Sequence, residues 1–222
     1  MANPHSAAGR LLYGAALADA TLVVVAVHGR DQSPAYLVDN LIEPVQRSAA
    51  SGVIAGHTIA WLLPAANGNS WYPQRFMDAL IDSEPLVGYS LETMADIERE
   101  LTERSPAARV VWAGFSQGAC VVTEHVARPR IRPPAGLICL TGALIGPPDQ
   151  PLRVAGSVTG MPAYFSNSEV DEWVPLARTK AAAEAFRGAG ADVQLEVIPR
   201  RAHVISAIEI TSVAAFLSHV VG

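Results

Sequence analysis

The segment of this sequence best suited to chemistry is Gly114-Phe115-Ser116-Gln117-Gly118, which has the pattern G-x-S-x-G. It directly follows a strand-like run at residues 109–113 and opens an apolar stretch typical of a helix. At such a strand-to-helix turn a serine is held in a strained backbone conformation with its hydroxyl at the edge of the sheet. Flanking glycines let the strand and helix approach without Cβ clashes. The alternative is an ordinary turn with a serine helix cap, and the context favours a nucleophile.

A serine hydroxyl is a poor nucleophile until a base removes its proton, so Ser116 requires a histidine and a carboxylate. In folds that use this turn, the acid and then the histidine follow the serine along the chain. His125 lies in the helix that begins at the serine, and His219 lies near the end of an amphipathic terminal helix. His203 instead follows a strand-like run, which places it at the same edge of the predicted sheet as Ser116. We therefore predict that His203 is the base.

The matching carboxylate should lie on a loop after an earlier strand. Asp171 follows the strand-like run 163–165 and precedes a predicted helix, whereas Asp192 precedes a strand and so lies at the wrong end of the sheet. Glu169 and Glu172 are close in sequence and remain alternatives, Glu169 first. We predict that Asp171 holds the imidazole in the required tautomer and stays ionised.

Short apolar runs rich in β-branched residues alternate along the chain with longer amphipathic stretches. Near-continuous apolar runs are typical of strands covered on both faces, as in a parallel sheet between helices. The predicted strands are residues 22–27, 58–63, 110–113, 137–140, 163–165 and 193–198, and the predicted helices are residues 34–47, 86–104, 175–186 and 205–220. The pattern predicts a single α/β domain over residues 1–222, with an open, mostly parallel sheet and ligands at the carboxyl ends of its strands.

Composition limits the possible partners of the protein. The chain has 222 residues, 50% of them hydrophobic, and a formal net charge of −5. This composition excludes intrinsic disorder and argues against nucleic acid as a partner.

An apolar stretch near residues 10–20 faintly imitates a signal peptide but is interrupted by Gly14, so we predict a cytoplasmic protein with no stable membrane anchor. Arginine supplies 15 of the 16 basic residues, which with the many alanines indicates a GC-rich bacterial genome.

The two cysteines, Cys120 and Cys139, both lie in apolar runs. We predict buried thiols rather than a disulfide bridge. Neither has neighbouring cysteines or histidines at the spacing of a zinc site, so no metal is predicted.

Four segments of the sequence together resemble the phospholipase/carboxylesterase family of α/β-hydrolases, which includes small bacterial carboxylesterases and acyl-protein thioesterases. The resemblance extends over about residues 10–220. It implies a compact α/β-hydrolase with helices on both faces of the sheet and no large lid domain, which cleaves carboxylic esters or thioesters without a cofactor. The four segments are Val27-His28-Gly29-Arg30, Gly114-Phe115-Ser116-Gln117-Gly118-Ala119, Asp171-Glu172-Trp173-Val174-Pro175 and Arg201-Ala202-His203-Val204-Ile205.

Carried over to this sequence, the resemblance implies a catalytic triad of Ser116, Asp171 and His203. It also implies an oxyanion hole formed by the backbone N–H groups of Arg30 and Gln117. The family usually has glycine at the position of Asp31. A carboxylate beside an oxyanion would oppose catalysis, so we expect the Asp31 side chain to point outward.

Other residues near these segments are candidates for supporting a loop or contacting the substrate. His28 has no partner at metal-ligand spacing, and we expect it to support its loop. The resemblance places a Trp-Tyr-Pro segment near the pocket, which makes Trp71 and Tyr72 candidate substrate contacts, with packing in the core as the alternative. Leu144 and Ile145, which follow the strand 137–140, are similar candidates.

The hypothesis from sequence is a serine carboxylesterase that cleaves small or medium-chain carboxylic esters through an acyl-enzyme on Ser116. The alternatives are a thioesterase or lysophospholipase acting on acyl-protein, acyl-CoA or lysophospholipid, and a non-catalytic binder of small molecules. The predicted partner is a small-molecule ester. The natural substrate, the preference for ester or thioester, and the oligomeric state stay open, a homodimer being one option.

Overall fold

The computed structural model describes residues 2–48 and 57–222. At its centre is a seven-stranded sheet with the order β1-β3-β2-β4-β5-β6-β7. Strands β2 to β7 are parallel, and β1 pairs with β3 in the antiparallel direction at one edge. The strands are β1 (Arg10–Gly14), β2 (Leu22–Val27), β3 (Ile59–Pro64), β4 (Arg109–Phe115), β5 (Gly136–Leu140), β6 (Pro162–Ser168) and β7 (Asp192–Ile198).

Helices connect most of these strands. They are α1 (Pro34–Leu37), α2 (Glu43–Arg47), α3 (Leu80–Ser83), α4 (Leu86–Arg104), α5 (Gln117–Ala127), α6 (Leu176–Gly188) and α7 (Ala207–Val221), and a π-helical turn, Val38–Ile42, joins α1 to α2. In the described part of the chain, short 3-10 helices lie at Pro4–Ala7, Leu17–Asp19 and Asn67–Asn69. Within the described ranges, no helix is both long enough and apolar enough to cross a membrane.

The two faces of the sheet build two hydrophobic cores. All six residues of β2 are buried, and their side chains alternate between the faces. Val23 and Val25 pack in the core that includes residues of α4, α5 and α6. Leu22 and Val24 pack in the core that includes residues of α1, α2 and α7. The prediction of a parallel sheet covered on both sides is therefore confirmed.

All six predicted strands are present, with bounds that differ by a few residues at most. The edge strand β1 was missed. Its residues are mostly exposed, so it has no buried apolar run that sequence patterning could detect. The predicted helix at residues 34–47 is also less regular than expected, because the π-helical turn interrupts it.

The strand order creates a crevice at one edge of the sheet. From β2 the chain moves to β3 on one side, and it then crosses over to β4 on the other side of β2. Ligands bind outside the carboxyl ends of parallel strands at such a reversal of direction. The loops after β2, β3, β4, β6 and β7 all lie at this carboxyl edge, since these strands are parallel.

A buried histidine lies on α5, inside the core. His125 is 5% exposed, and its ring centroid lies 4.3 Å from that of Trp112. Its Nε2 is 3.8 Å from Oε2 of Glu98, which is also buried. Burial, reinforced by the nearby positive charges of Arg130 and Arg128, lowers the pKa of His125 from 6.5 to about 3.

This histidine makes stability depend on pH. Below pH 6.5 the unfolded chain takes up a proton at His125 that the folded protein does not. The free energy of unfolding therefore decreases as the pH is lowered. Between pH 7 and 5 this single group costs about 2 kcal/mol. Burial raises the pKa of Glu98, so the folded protein takes up a proton there more readily than the unfolded chain. At lower pH this contribution increases stability, which is opposite to the effect of His125. We expect His125→Phe to reduce the loss of stability between these pH values by about 2 kcal/mol, measured by urea unfolding.

The control for this experiment is His219→Gln, since His219 is exposed at the end of α7. That variant should keep the wild-type pH dependence. If His125→Phe loses as much stability on acidification as the wild type, the neutral state of the buried imidazole is not the cause.

Candidate active site

Ser116 lies in the turn between β4 and α5 with φ 55° and ψ −120°, a left-handed conformation that side chains rarely adopt. The turn is possible because its two glycines lack Cβ atoms. A Cβ on Gly118 would lie 2.1 Å from the carbonyl oxygen of Val27, and one on Gly114 would lie 2.6 Å from the backbone of α5. The predicted strained turn is therefore present, with its serine at the carboxyl edge of the sheet.

Three side chains from three loops form a continuous hydrogen-bonded chain at this edge. His203 Nε2 is 2.8 Å from the Oγ of Ser116. On the other side of the ring, His203 Nδ1 lies 2.8 Å and 3.0 Å from the two carboxylate oxygens of Asp171. An N–H on Nδ1 donates to the carboxylate, which leaves Nε2 free to accept the serine proton. The structure thus brings together the three residues that the sequence predicted.

The Asp171 carboxylate is well suited to remain ionised. Its side chain is 0% exposed, and its Oδ1 accepts hydrogen bonds from the backbone N–H groups of Val174 at 2.8 Å and Trp173 at 3.0 Å. Burial pushes the pKa of Asp171 upward, but the hydrogen bonds from His203 and these two amides outweigh it and hold the pKa below its usual value. Glu169 and Glu172 are exposed, and neither contacts His203 among the described residues.

A buried ion pair supports the loop that carries His203, and sequence reasoning missed it. Arg201 donates to the carbonyl oxygens of Ala202 and Val204, on either side of His203, and its Nε lies 3.6 Å from Oε2 of Glu209. Glu209 is fully buried and closes a capping box with Ser206 at the start of α7. The spacing S-x-x-E before an apolar run is the signal that could have identified Glu209.

The two residues predicted to supply the oxyanion hole, Arg30 and Gln117, follow β2 and β4 at the carboxyl edge of the sheet. Gln117 is the first residue of α5, whose N-terminal amides have no partner within the helix. Neither N–H donates to any described residue. Asp31 has φ 59° and is exposed, as expected for an outward-pointing side chain. Aspartate tolerates this left-handed conformation better than most residues other than glycine.

His28 supports the loop after β2, as predicted. It is fully buried, and its Nδ1 lies 2.7 Å from the carbonyl oxygen of Gly29. Its Nε2 accepts a hydrogen bond from the backbone N–H of Ala66 at 3.1 Å. Burial lowers the pKa of His28, so the ring stays neutral and joins the loops after β2 and β3.

The four candidate substrate contacts lie inside the core. Trp71, Tyr72, Leu144 and Ile145 are 0%, 2%, 2% and 6% exposed, respectively. The Trp71 ring also donates from Nε1 to the carbonyl oxygen of His28 at 2.9 Å. These contacts fit the packing role that the sequence left open for Trp71 and Tyr72. A part for any of the four in binding substrate stays a prediction.

The two cysteines are free and buried, as predicted. Burial raises the pKa of Cys120 to about 11 and that of Cys139 further still, so neither is a reactive thiolate. Over residues 2–48 and 57–222, no group of three or more histidine, cysteine or acidic side chains is arranged to hold a metal ion.

Comparison with solved structures gives the same fold. A phospholipase/carboxylesterase from Dyadobacter fermentans is 29% identical, with a TM-score of 0.78 over 93% of this chain and 94% of its own. Esterase PE8 is 18% identical, with a TM-score of 0.75 over 95% and 97% of the two chains. Acyl-protein thioesterase 2 of Zea mays is 14% identical, with a TM-score of 0.70 over 96% and 99%. No curated protein matches the sequence.

The fold is therefore that of an α/β-hydrolase, and the described residues include no large lid domain. The family model for phospholipases and carboxylesterases matches residues 17–221, which is nearly the whole chain. The predicted resemblance is confirmed, and the chain belongs to the phospholipase/carboxylesterase family.

Proposed function

We propose that this protein is a serine carboxylesterase that hydrolyses small-molecule esters with small or medium acyl chains. The observation that carries the proposal is the unbroken chain of hydrogen bonds from Asp171 through His203 to Ser116. A buried carboxylate, an imidazole and a serine hydroxyl aligned in this order are the parts that acyl transfer requires. A protein that only bound a small molecule would need none of them in this order.

In the proposed reaction, His203 Nε2 takes the proton of the Ser116 hydroxyl as its Oγ bonds to the ester carbonyl carbon. The carbonyl oxygen becomes an oxyanion, which accepts hydrogen bonds from the backbone N–H groups of Arg30 and Gln117. When the C–O bond to the alcohol breaks, the imidazolium returns its proton to the leaving alcohol. Water then attacks the acyl-enzyme with His203 as base again, which releases the acid and restores the serine hydroxyl.

Replacing the nucleophile tests the proposal most directly. Ser116→Ala should lower kcat for p-nitrophenyl esters by up to about 10⁶-fold, by analogy with other triads, and should abolish labelling by a fluorophosphonate probe. The matched control is Ser218→Ala on α7, which removes a hydroxyl bonded only to the carbonyl oxygen of Ala214 and should keep wild-type labelling. Near-wild-type hydrolysis by Ser116→Ala would rule out this nucleophile, and a folded wild type that takes no label would favour the non-catalytic binder.

The acid is tested separately, because sequence left Glu169 and Glu172 as alternatives. Asp171→Asn keeps the shape of the side chain but favours the wrong imidazole tautomer, so kcat should fall by about 10⁴-fold. Glu169→Gln and Glu172→Gln remove exposed charges from the same loop and should change kcat by less than about twofold. A loss in either glutamate variant equal to that of Asp171→Asn would reassign the acid.

Exposed apolar side chains beside these residues favour an acyl chain of medium length. Val170 and Trp173 flank Asp171 and are both 63% exposed, and Val204, next to His203, is 48% exposed. Large apolar groups in water are stabilised when a substrate covers them. We infer that these three residues form the rim that contacts the acyl chain.

Removing the largest rim residue should therefore shift substrate preference. Trp173→Ala should lower kcat/KM for an octanoate ester by about fivefold, the equivalent of about 1 kcal/mol of lost apolar contact, and leave the acetate ester unchanged. The control is Ile131→Ala, since Ile131 is also exposed (58%) but follows α5 at the opposite edge of the sheet. Equal effects on both esters would place Trp173 outside the acyl-binding surface.

A further inference from the structure

Residues 71–74, which follow β3, form a short backbone segment that contacts both halves of the proposed oxyanion hole. We refer to these four residues as the brace. From one side, the Gln117 side chain reaches it: its Oε1 accepts from the backbone N–H of Trp71 at 3.0 Å, and its Nε2 donates to the carbonyl oxygen of Tyr72 at 2.7 Å. Gln117 is 6% exposed, so these bonds are shielded from water.

From the other side, the Arg30 guanidinium reaches the same segment. Its Nη2 donates to the carbonyl oxygen of Tyr72 at 3.0 Å and also to that of Gln74, and its Nη1 donates to the carbonyl oxygen of Pro73 at 2.6 Å. The carbonyl oxygen of Tyr72 is therefore a shared acceptor for the two residues whose backbone N–H groups face the proposed oxyanion. Three successive carbonyl groups match the planar, multi-donor geometry of a guanidinium.

The brace is itself firmly held. The fully buried Trp71 ring donates to the carbonyl oxygen of His28. The Ser70 hydroxyl donates to the carbonyl oxygen of Tyr72 at 3.0 Å, and the backbone N–H of Asp31 donates to the carbonyl oxygen of Asn69 at 2.8 Å. The segment therefore offers a fixed reference to which Arg30 and Gln117 are tied.

The brace matters because the hydrogen bonds of the sheet do not fix the distance between the two N–H donors. The pairing of β2 with β4 ends at Val27 and Gly114, and Arg30 lies beyond that end. Oxyanion stabilisation depends on donors already aimed at the developing charge, and a displacement of about 1 Å can cost about 10²-fold in rate. The spacing of the two donors thus depends on contacts made after the ladder stops.

We propose that the brace sets the distance between the Arg30 and Gln117 N–H donors, and that the Arg30 side chain is a positioning residue for the oxyanion hole. The inference rests on the proposed function. It assigns a role to the Arg30 side chain. Arg30 is the residue x of the His28-Gly29-x motif, and the sequence had singled out only its backbone N–H.

The test compares three variants with the wild type. Arg30→Met keeps the aliphatic stem and loses all donors, whereas Arg30→Lys keeps the charge but loses the planar fork that spans the three carbonyl groups. Arg75→Met is the matched control, because it removes one exposed positive charge directly after the brace and the Arg75 guanidinium bonds to no described residue. For each protein we would measure kcat and KM for a p-nitrophenyl ester, the acid limb of the pH–rate profile, and the affinity for an alkyl boronic acid.

The boronic acid reports on the oxyanion hole separately from ground-state binding. Ser116 Oγ bonds to boron, the serine proton passes to His203, and the resulting tetrahedral anion places an oxygen where the oxyanion would lie. We expect Arg30→Met to lower kcat about tenfold to a hundredfold with KM changed by less than about twofold, and to weaken boronic acid binding by a similar factor. Arg30→Lys should fall between Arg30→Met and the wild type, and the midpoint of the acid limb should not move, since the brace does not contact His203.

Wild-type kcat and boronic acid affinity in Arg30→Met would overturn the inference, as would a loss confined to KM or an equal loss in Arg75→Met. If Arg30→Met does not fold, Arg30→Lys decides alone, and wild-type values there would overturn it. A folded wild type that neither hydrolyses esters nor binds the boronic acid would refute the proposed function and this inference together. An active wild type with an unaffected Arg30→Met would refute the inference alone.

Discussion

The close contact between α5 and β2 is the constraint on which the rest of the structure depends. Gly118 lies so near the carbonyl oxygen of Val27 that a Cβ would stand 2.1 Å from it, and so any other residue would push the helix off the sheet. That contact permits Ser116 its left-handed backbone at φ 55°, and the hydroxyl lies 2.8 Å from His203 Nε2. Strain of this kind persists only when the surrounding structure over-determines it, and here the core shared by α5 and β2 holds the helix against the strand.

With the serine fixed at this point, the strand order places the other site residues on two sides of β4. The loops after β6 and β7, on one side of β4, supply Asp171 and His203. The loops after β2 and β3, on the other side, supply Arg30 and the brace. In the proposed mechanism, proton transfer and charge stabilisation therefore use loops after different strands, and the two groups of residues meet at Ser116. Each side also has its own polar support, which is the buried Glu209 on the first side and the neutral His28 on the second.

Sequence predicted well what depends on local rules. The turn at Ser116, the six core strands and the order of acid and base follow from side-chain period, glycine spacing and the direction of a parallel sheet. The edge strand β1 could not be detected, because its exposed residues carry no alternation of buried and exposed positions. The spacing of Ser206 and Glu209 could have indicated the capping box, but the hydrogen bond from Ser166, 43 residues earlier in the chain, to Glu209 could not be detected. Contacts of this length depend on how the elements pack, which a pattern along the chain does not specify.

The loops at the carboxyl edge share one means of support, which the arginine-rich composition makes possible. Their carbonyl groups lie outside the sheet ladder and are paired by other donors. Three guanidinium groups supply donors: Arg30 to residues 72–74, Arg178 to Leu144 and Gly146, and Arg201 to Ala202 and Val204. A lysine ammonium presents its three donors from one compact nitrogen, whereas the rigid fork of arginine spreads its donors over two or three carbonyl groups. Each guanidinium bonds to backbone carbonyl groups of these loops, and Arg201 also donates to the Thr141 hydroxyl and pairs with Glu209. The preference for arginine in this sequence, 15 of 16 basic residues, therefore has a structural consequence at the site whatever its origin.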